Sequence, residues 1–152
     1  MKILDVLHND AIIEDLKSAD KKGVLKEMVV PVAKIAGIAE DSLLSILLER
    51  EHLGSTGIGG GIGIPHGKFK GLDSLVLGFG LSRQGIDFES IDGSPTHIFF
   101  MLITPEDSAG LHLKVLARIS RILKNEPFKE RLLNAADRDE IISIIAAEDE
   151  DF

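Results

Sequence analysis

Hydrophobic positions recur with a helical period in the first part of the chain, after a short extended start. Small apolar groups in residues 1–18 predict an edge strand and a turn. Apolar residues at helical spacing then predict a helix that Ser18 or Asp20 caps and that Gly37 ends. Pro31 lies inside this pattern and predicts a kink in the helix.

A second helix and a glycine-dense segment follow. The helix is predicted from Asp41 to His52, and its inward side chains are Leu44, Leu47 and Leu48. The segment from Gly54 to Gly67 then holds seven of the 15 glycines. Because Ile58, Ile62 and Ile64 alternate within this segment, part of it is predicted to be strand.

Strands of different character come next. Large apolar residues alternate with mostly small ones over residues 75–82, which predicts a strand with one buried face. Ile86 and Phe88 predict a short edge strand. The run from His97 to Thr104 is almost continuously apolar, as expected of a central strand covered on both faces.

Three helical stretches complete the chain, at residues 109–124, 127–136 and 137–147. The order of elements predicts an α/β fold of the α+β type. We expect a single domain over residues 1–152, with a mixed sheet of about five strands flanked by helices on both faces. Residues 148–152 are mostly acidic and predict a frayed tail.

Composition narrows the possible functions. The chain has no cysteine, which excludes disulfides and thiolate metal sites. Its net charge of -8, from 17 basic and 25 acidic residues with no basic run, argues against nucleic-acid binding. The N-terminal segment lacks the apolar core of a signal peptide, and the longest apolar run is Ile98 to Ile103. We therefore expect a soluble cytoplasmic protein without direct membrane insertion.

The glycine-dense segment does not contain a nucleotide-binding motif. A dinucleotide fingerprint needs glycine at its sixth position, and the three possible frames place Ile62, Ile64 and His66 there. A P-loop around Gly67-Lys68 fails because Ile62 and Phe69 occupy the positions of a glycine and a hydroxyl residue. The segment gives no reason to expect a nucleotide cofactor.

His66 has the most unusual surroundings of the five histidines. It follows the run Gly59-Gly60-Gly61-Ile62-Gly63-Ile64-Pro65. Glycines allow close backbone approach, and the proline fixes the backbone just before the imidazole. This context favours a histidine presented next to free backbone N–H groups, which bind anions. An incidental histidine in a glycine turn is equally compatible with these residues.

His112 lies near the start of the predicted helix at residues 109–124. The polar face of that helix is defined by Lys114, Arg118 and Arg121, and His112 lies opposite it. The inward face also carries Leu116, Ile119 and Leu123. A packed core histidine is the commoner explanation of such a position. The other explanation is a histidine that supports a bound phosphate group at a helix N-terminus.

The segment from Arg50 to Lys68, Arg-Glu-His-Leu-Gly-Ser-Thr-Gly-Ile-Gly-Gly-Gly-Ile-Gly-Ile-Pro-His-Gly-Lys, resembles a known active-site signature. It is similar to that of enzyme IIA of the fructose/mannitol class of the bacterial phosphotransferase system, which includes the nitrogen-regulatory IIA proteins. The resemblance extends over almost the whole chain, including Asp92-Gly93-x-Pro95 and Leu111-His112-Leu113. It implies a mixed sheet flanked by helices on both sides.

The resemblance also implies roles for three residues. His66 resembles the residue that the histidine-containing phosphocarrier protein phosphorylates. His112 resembles the second active-site histidine, which supports the phosphoryl group. Arg50 resembles the arginine that helps to neutralise the charge of that group. Phosphotransfer between histidines needs no metal or other cofactor. The isoleucines around His66 are expected to contact a partner protein.

Three outputs are compatible with this resemblance. The length and the Gly-Ser-Thr-Gly-Ile-Gly context favour a nitrogen-regulatory protein that acts on regulatory targets. A sugar-transport IIA component would instead pass the phosphoryl group to the cysteine of a IIB domain. A non-catalytic binding module of the same fold is the third possibility, although such a module has no need of His66, His112 and Arg50 together.

Overall fold

The continuous apolar segment forms the central strand of a mixed sheet. The computed structural model describes residues 1–152. In chain order the elements are a 3-10 turn Ile3–Asp5, β1 Leu7–Ile13, α1 Lys21–Ala36, α2 Glu40–His52, β2 Gly57–Gly59, β3 Ile62–Gly63, β4 His66–Phe69, β5 Val76–Ile86, β6 Thr96–Pro105, α3 Ala109–Ile122, α4 Glu126–Leu133 and α5 Arg138–Glu148.

The sheet has the strand order β1-β5-β6-β3-β2, and β4 pairs with β6 beyond the end of β3. Strands β3 and β4 run parallel to β6, and β5 runs antiparallel to it. The predicted mixed sheet is confirmed. It has six strands, one more than expected, because the glycine-dense segment and the residues after it supply three short strands.

Helices cover both faces of β6, as predicted. Ile98, Phe100 and Leu102 belong to one core cluster, together with Ile119 of α3, Phe128 of α4 and Ile141 of α5. Phe99, Met101 and Ile103 belong to a second cluster, together with Leu25 of α1 and Leu43 and Leu47 of α2. All six of these β6 side chains are fully buried. The central strand therefore separates two cores.

Strand β5 differs from its prediction in two ways. Both of its faces are buried, because Gly78 and Gly80 leave room for apolar side chains rather than facing solvent. A Cβ at Gly78 would lie 2.8 Å from Cγ2 of Val32 in α1. In addition, Ile86 ends β5 and does not start a separate edge strand, since the pairing with β6 resumes there after an irregularity that begins at Leu81.

The helix ends follow local signals, although one helix face was misassigned. Asp20 caps α1 by accepting the Gly23 N–H, and Gly37 ends it with a φ of 70°. In α2 the buried leucines are Leu43 and Leu47; Leu44 and Leu48, which were predicted to face inward, are only partly buried. None of the helices has the length and apolar character that a membrane crossing requires.

The acidic tail, for which a frayed end was predicted, forms hydrogen bonds with the N-terminal segment. The Asp149 carboxylate accepts the N–H groups of Ile3 and Leu4 at 2.8 and 2.9 Å. The backbone N–H of Phe152 donates to the carbonyl of Met1 at 2.8 Å. These partners lie about as far away in sequence as the chain allows, so no local pattern could reveal them.

The contact between Gly78 and Val32 gives a stability prediction. Gly78→Ala is expected to lower the free energy of unfolding by about 1–3 kcal/mol, because the added methyl group forces α1 away from the sheet. The control is Gly110→Ala in α3, where a Cβ meets nothing within 4 Å. That change should keep or raise stability by up to about 1 kcal/mol. Urea unfolding measures both, and equal stabilities of the two variants would contradict the prediction.

Candidate active site

The two histidines meet at the free edge of β4. His66 begins this strand and lies opposite Leu102 of β6, while the other edge of β4 has no strand partner. Helix α2 packs closely on one face, since a Cβ at Gly67 would lie 2.8 Å from Cγ2 of Ile46. A cavity of about 1100 Å³ opens between β4, α2 and α3, and both His66 and His112 line it.

His66 is anchored through one ring nitrogen. Its Nδ1 lies 2.7 Å from the carbonyl oxygen of Ile64, two residues earlier. A carbonyl oxygen can only accept a hydrogen bond, so Nδ1 carries the hydrogen and donates. The neutral ring therefore keeps its lone pair on Nε2, which has no hydrogen-bond partner in the protein.

His112 faces inward from α3, as its helical position predicted. It is 5% exposed, and its ring centroid lies 5.3 Å from that of His66 at an interplanar angle of 61°. Its Nδ1 lies 2.6 Å from Oγ1 of Thr104 at the end of β6. His112 is thus a buried residue and also the neighbour of His66, so the two interpretations left open by the sequence are compatible.

The cavity lining includes three cationic and two acidic side chains; these are Lys22, Arg50, Lys68, Asp41 and Glu49. Arg50, in the last turn of α2, lines it and donates from its guanidinium to the Gly54 carbonyl at 2.9 Å. Lys68 lines it too, and sequence reasoning missed this residue. Its position could have been predicted, because residues two apart on a strand share a face and Lys68 lies two residues after His66. The structure contains no group of three or more side chains suited to hold a metal ion.

A buried ion pair connects α1 to the segment that carries His66. The carboxylate of Glu51 accepts the Lys21 ammonium at 2.9 Å, the Thr56 N–H at 3.0 Å and the Thr56 hydroxyl. The carbonyl of Thr56 then accepts the Ile64 N–H at 3.0 Å. Since the Ile64 carbonyl holds His66, these contacts fix the imidazole through its backbone. The sequence pattern gave no sign of this long-range pair.

The triple glycine lies away from His66, so it is not the source of the free backbone N–H groups predicted next to this histidine. The Gly61 carbonyl accepts N–H groups from His97 and Ile98 at the start of β6. His66 pairs four positions further along that strand. The Gly60 N–H is also occupied, because it donates to Asp92 and helps to lower the pKa of that carboxyl to about 2. The glycine turn closes a hairpin at the other end of the strand.

The exposed apolar side chains beside the cavity are leucines, not the isoleucines expected from the sequence. Leu53 is 84% exposed after α2, and Leu113 is 66% exposed on α3. Both line the cavity. Ile62 and Ile64 are instead buried in the core, and Ile58, which is 42% exposed, does not line the cavity. An apolar contact for a partner would therefore come from the helices on either side of His66.

Both histidines are held in the neutral form. Burial lowers the pKa of His66 from its ordinary 6.5, and the Arg50 charge acts in the same direction. The hydrogen bond that His66 donates to the Ile64 carbonyl opposes this shift. Burial lowers the pKa of His112 to about 4, with smaller contributions from His66 and Lys68. Near neutral pH the cavity therefore offers two uncharged imidazoles in a cationic setting, which suits a nucleophile and a hydrogen-bond donor for an anion.

The fold, the paired histidines and the signature together define a phosphotransferase-system protein. The family model described as "Phosphoenolpyruvate-dependent sugar phosphotransferase system, EIIA 2" matches residues 5–148. The chain belongs to this family, and the resemblance seen in its sequence is confirmed.

Similar proteins fall into two groups. Over 146 residues the chain is 38% identical to a nitrogen regulatory protein from Bradyrhizobium diazoefficiens, covering 96% of this chain and 95% of the relative. It is 39% identical over 151 residues to the PTS system fructose-specific EIIABC component from Bacillus subtilis, covering 98% of this chain but 24% of the relative. A crystal structure of nitrogen regulatory protein IIA-Ntr from Neisseria meningitidis matches with a TM-score of 0.88 at 28% identity, over 93% of this chain and 97% of that one.

The lowered pKa of His112 predicts a pH dependence of stability. Between pH 6.5 and about 4 the unfolded chain binds a proton at this residue and the folded protein does not, so stability falls as the pH falls through this range. An NMR titration should find the His112 midpoint near 4. His112→Gln, which cannot titrate, should lose this part of the pH dependence in urea unfolding. A midpoint at or above 6.5 would contradict the prediction.

Proposed function

We propose that the protein is a cytoplasmic phosphoryl carrier, in which Nε2 of His66 accepts a phosphoryl group from the histidine-containing phosphocarrier protein. The observation that carries this proposal is the orientation of the imidazole. Its Nδ1–H donates to the Ile64 carbonyl, which leaves Nε2 as the nitrogen with a lone pair. The centroid of the His66 ring lies 5.3 Å from that of the His112 ring. The lowered pKa of His66 keeps that lone pair free of a proton near pH 7.

The chemistry is an exchange of one N–P bond for another. The lone pair of His66 Nε2 attacks phosphorus, the N–P bond of the donor histidine breaks, and the bonding electrons return to the donor ring. Negative charge on the equatorial oxygens is stabilised by positioned cations and N–H groups in such transfers. Arg50 and His112 line the same cavity as His66, which supports these roles for them. Because donor and product are both phosphohistidines, the step is close to thermoneutral and reversible, and His66 can pass the group on.

Phosphorylation of His66 can be tested directly. Incubation with phosphoenolpyruvate, enzyme I and the phosphocarrier protein is expected to add the mass of one phosphoryl group, which is lost on acid treatment. His66→Ala should abolish the gain. His52→Ala is the control, since His52 lines the same cavity from the end of α2 without contacting His66. No gain in the unaltered protein would disprove the carrier function and leave the non-catalytic binding module.

We further propose that the output is nitrogen-regulatory, exerted through contacts with regulatory target proteins. The match to the Bradyrhizobium diazoefficiens protein covers nearly all of both chains, and the IIA-Ntr structure has the same fold over 93% of this chain. Sugar transport is the second candidate. It is favoured by the 39% identity to the fructose-specific EIIABC component, in which a IIB domain cysteine would be the acceptor.

Transfer to an acceptor separates these two outputs. The phosphorylated protein is mixed with isolated fructose-type and mannitol-type IIB domains, and the label on each protein is followed with time. A regulatory protein is expected to keep its phosphoryl group under conditions in which a matched transport IIA component transfers it completely. Equally rapid transfer to a IIB domain would overturn the regulatory proposal but not the carrier function.

A further inference from the structure

Thr104 has no role in the proposed phosphoryl transfer, yet its side chain contacts His112. It lies at the end of β6, opposite Lys68 of β4, and is fully buried. The only hydrogen-bond partner of its hydroxyl is Nδ1 of His112, at 2.6 Å. Neither atom has another hydrogen-bond partner in the protein, so the two form a closed pair on the buried side of His112.

The direction of this hydrogen bond follows from the burial of the hydroxyl. If His112 donated from Nδ1, the hydroxyl hydrogen of Thr104 would have no acceptor and no access to water. A buried donor without a partner costs about 1–3 kcal/mol. If Thr104 donates instead, both atoms are satisfied and Nδ1 is the acceptor. The hydrogen of the neutral His112 ring then lies on Nε2.

We propose that Thr104 is a positioning residue that holds His112 in its Nε2–H tautomer, so that this N–H hydrogen-bonds to a phosphoryl oxygen on His66. The proposal rests on the carrier function proposed above. The two rings are then fixed in opposite tautomers by their Nδ1 partners, Ile64 for His66 and Thr104 for His112. One ring offers a lone pair for phosphorus and the other a donor for oxygen. His112 transfers no proton in this arrangement.

The alternative is that Thr104 only supports the packing of α3 on the sheet. A structural role would show as a loss of stability in any variant that removes the hydroxyl. It would not fix the ring hydrogen of His112 on one nitrogen. The low pKa of His112 is consistent with the proposal, because a neutral ring has two distinct tautomers to choose between.

The test combines the tautomer with the transfer rate. Long-range ¹H–¹⁵N spectra of the full-length protein near neutral pH should show His112 protonated on Nε2 alone. Thr104→Val, which keeps the shape and removes the donor, should give a mixture of tautomers and lower the rate constant of phosphoryl transfer roughly tenfold with little change in the KM for the donor protein. Thr104→Ser should restore both. Protonation on Nδ1 in the unaltered protein, or an unchanged tautomer and rate in Thr104→Val, would overturn the proposal.

Thr96 provides a matched control on the same strand. It is also fully buried, and its hydroxyl has no hydrogen-bond partner. Thr96→Val should therefore leave the tautomer of His112 and the transfer rate unchanged, and a loss as large as that of Thr104→Val would point to packing alone. The tautomer of His112 is measured in the absence of any phosphoryl donor, so this result does not depend on the carrier function. If the unaltered protein shows the Nε2–H tautomer but is never phosphorylated, the carrier function fails while the assignment of the hydrogen bond stands.

Discussion

The position of both histidines depends on the parallel pairing of β4 with β6. This register sets His66 opposite Leu102 and Lys68 opposite Thr104. Thr104 in turn contacts His112 of α3, so one pair of strands fixes one imidazole directly and the other through a side chain. A slip of one residue would turn His66 toward the opposite face of the sheet. The closeness of the two rings is thus a consequence of strand register more than of helix packing.

Local electrostatics in the cavity run against those of the whole chain. The protein carries a net charge of -8, yet the three cations that line the cavity (Arg50, Lys68 and Lys22) outnumber its two carboxylates (Asp41 and Glu49). Cations near a histidine keep it neutral, and they also attract the negatively charged group that a neutral imidazole would bind. The same side chains would therefore act on both the free imidazole and a phosphorylated one. A surplus of acidic residues elsewhere limits non-specific attraction of anions to the rest of the surface.

Features set by neighbouring residues could be predicted from the sequence, and features set by distant contacts could not. The ends of α1 at Asp20 and Gly37 follow from capping, and the inward direction of His112 follows from helical periodicity. The one-sided burial predicted for β5 was wrong, because a glycine such as Gly78 looks like a polar position in a hydrophobic pattern even when a helix packs against it. The pairing of Glu51 with Lys21 spans 30 positions and has no periodic signature. The candidate site was predicted from its signature, while the contacts that support its residues required the structure.

The hydrogen bond from His66 to Ile64 has a consequence for how reversible a carrier can be. A phosphoryl group on Nε2 withdraws electron density from the ring and makes Nδ1–H a stronger donor, so the anchor would tighten on loading. The Ile64 backbone is itself held by Thr56, and the adjoining Pro65 carbonyl by Leu102. Little structural reorganisation would then separate the free from the phosphorylated state. With so little reorganisation between the two states, the phosphorylated fraction would follow the ratio of phosphorylated to free partner proteins.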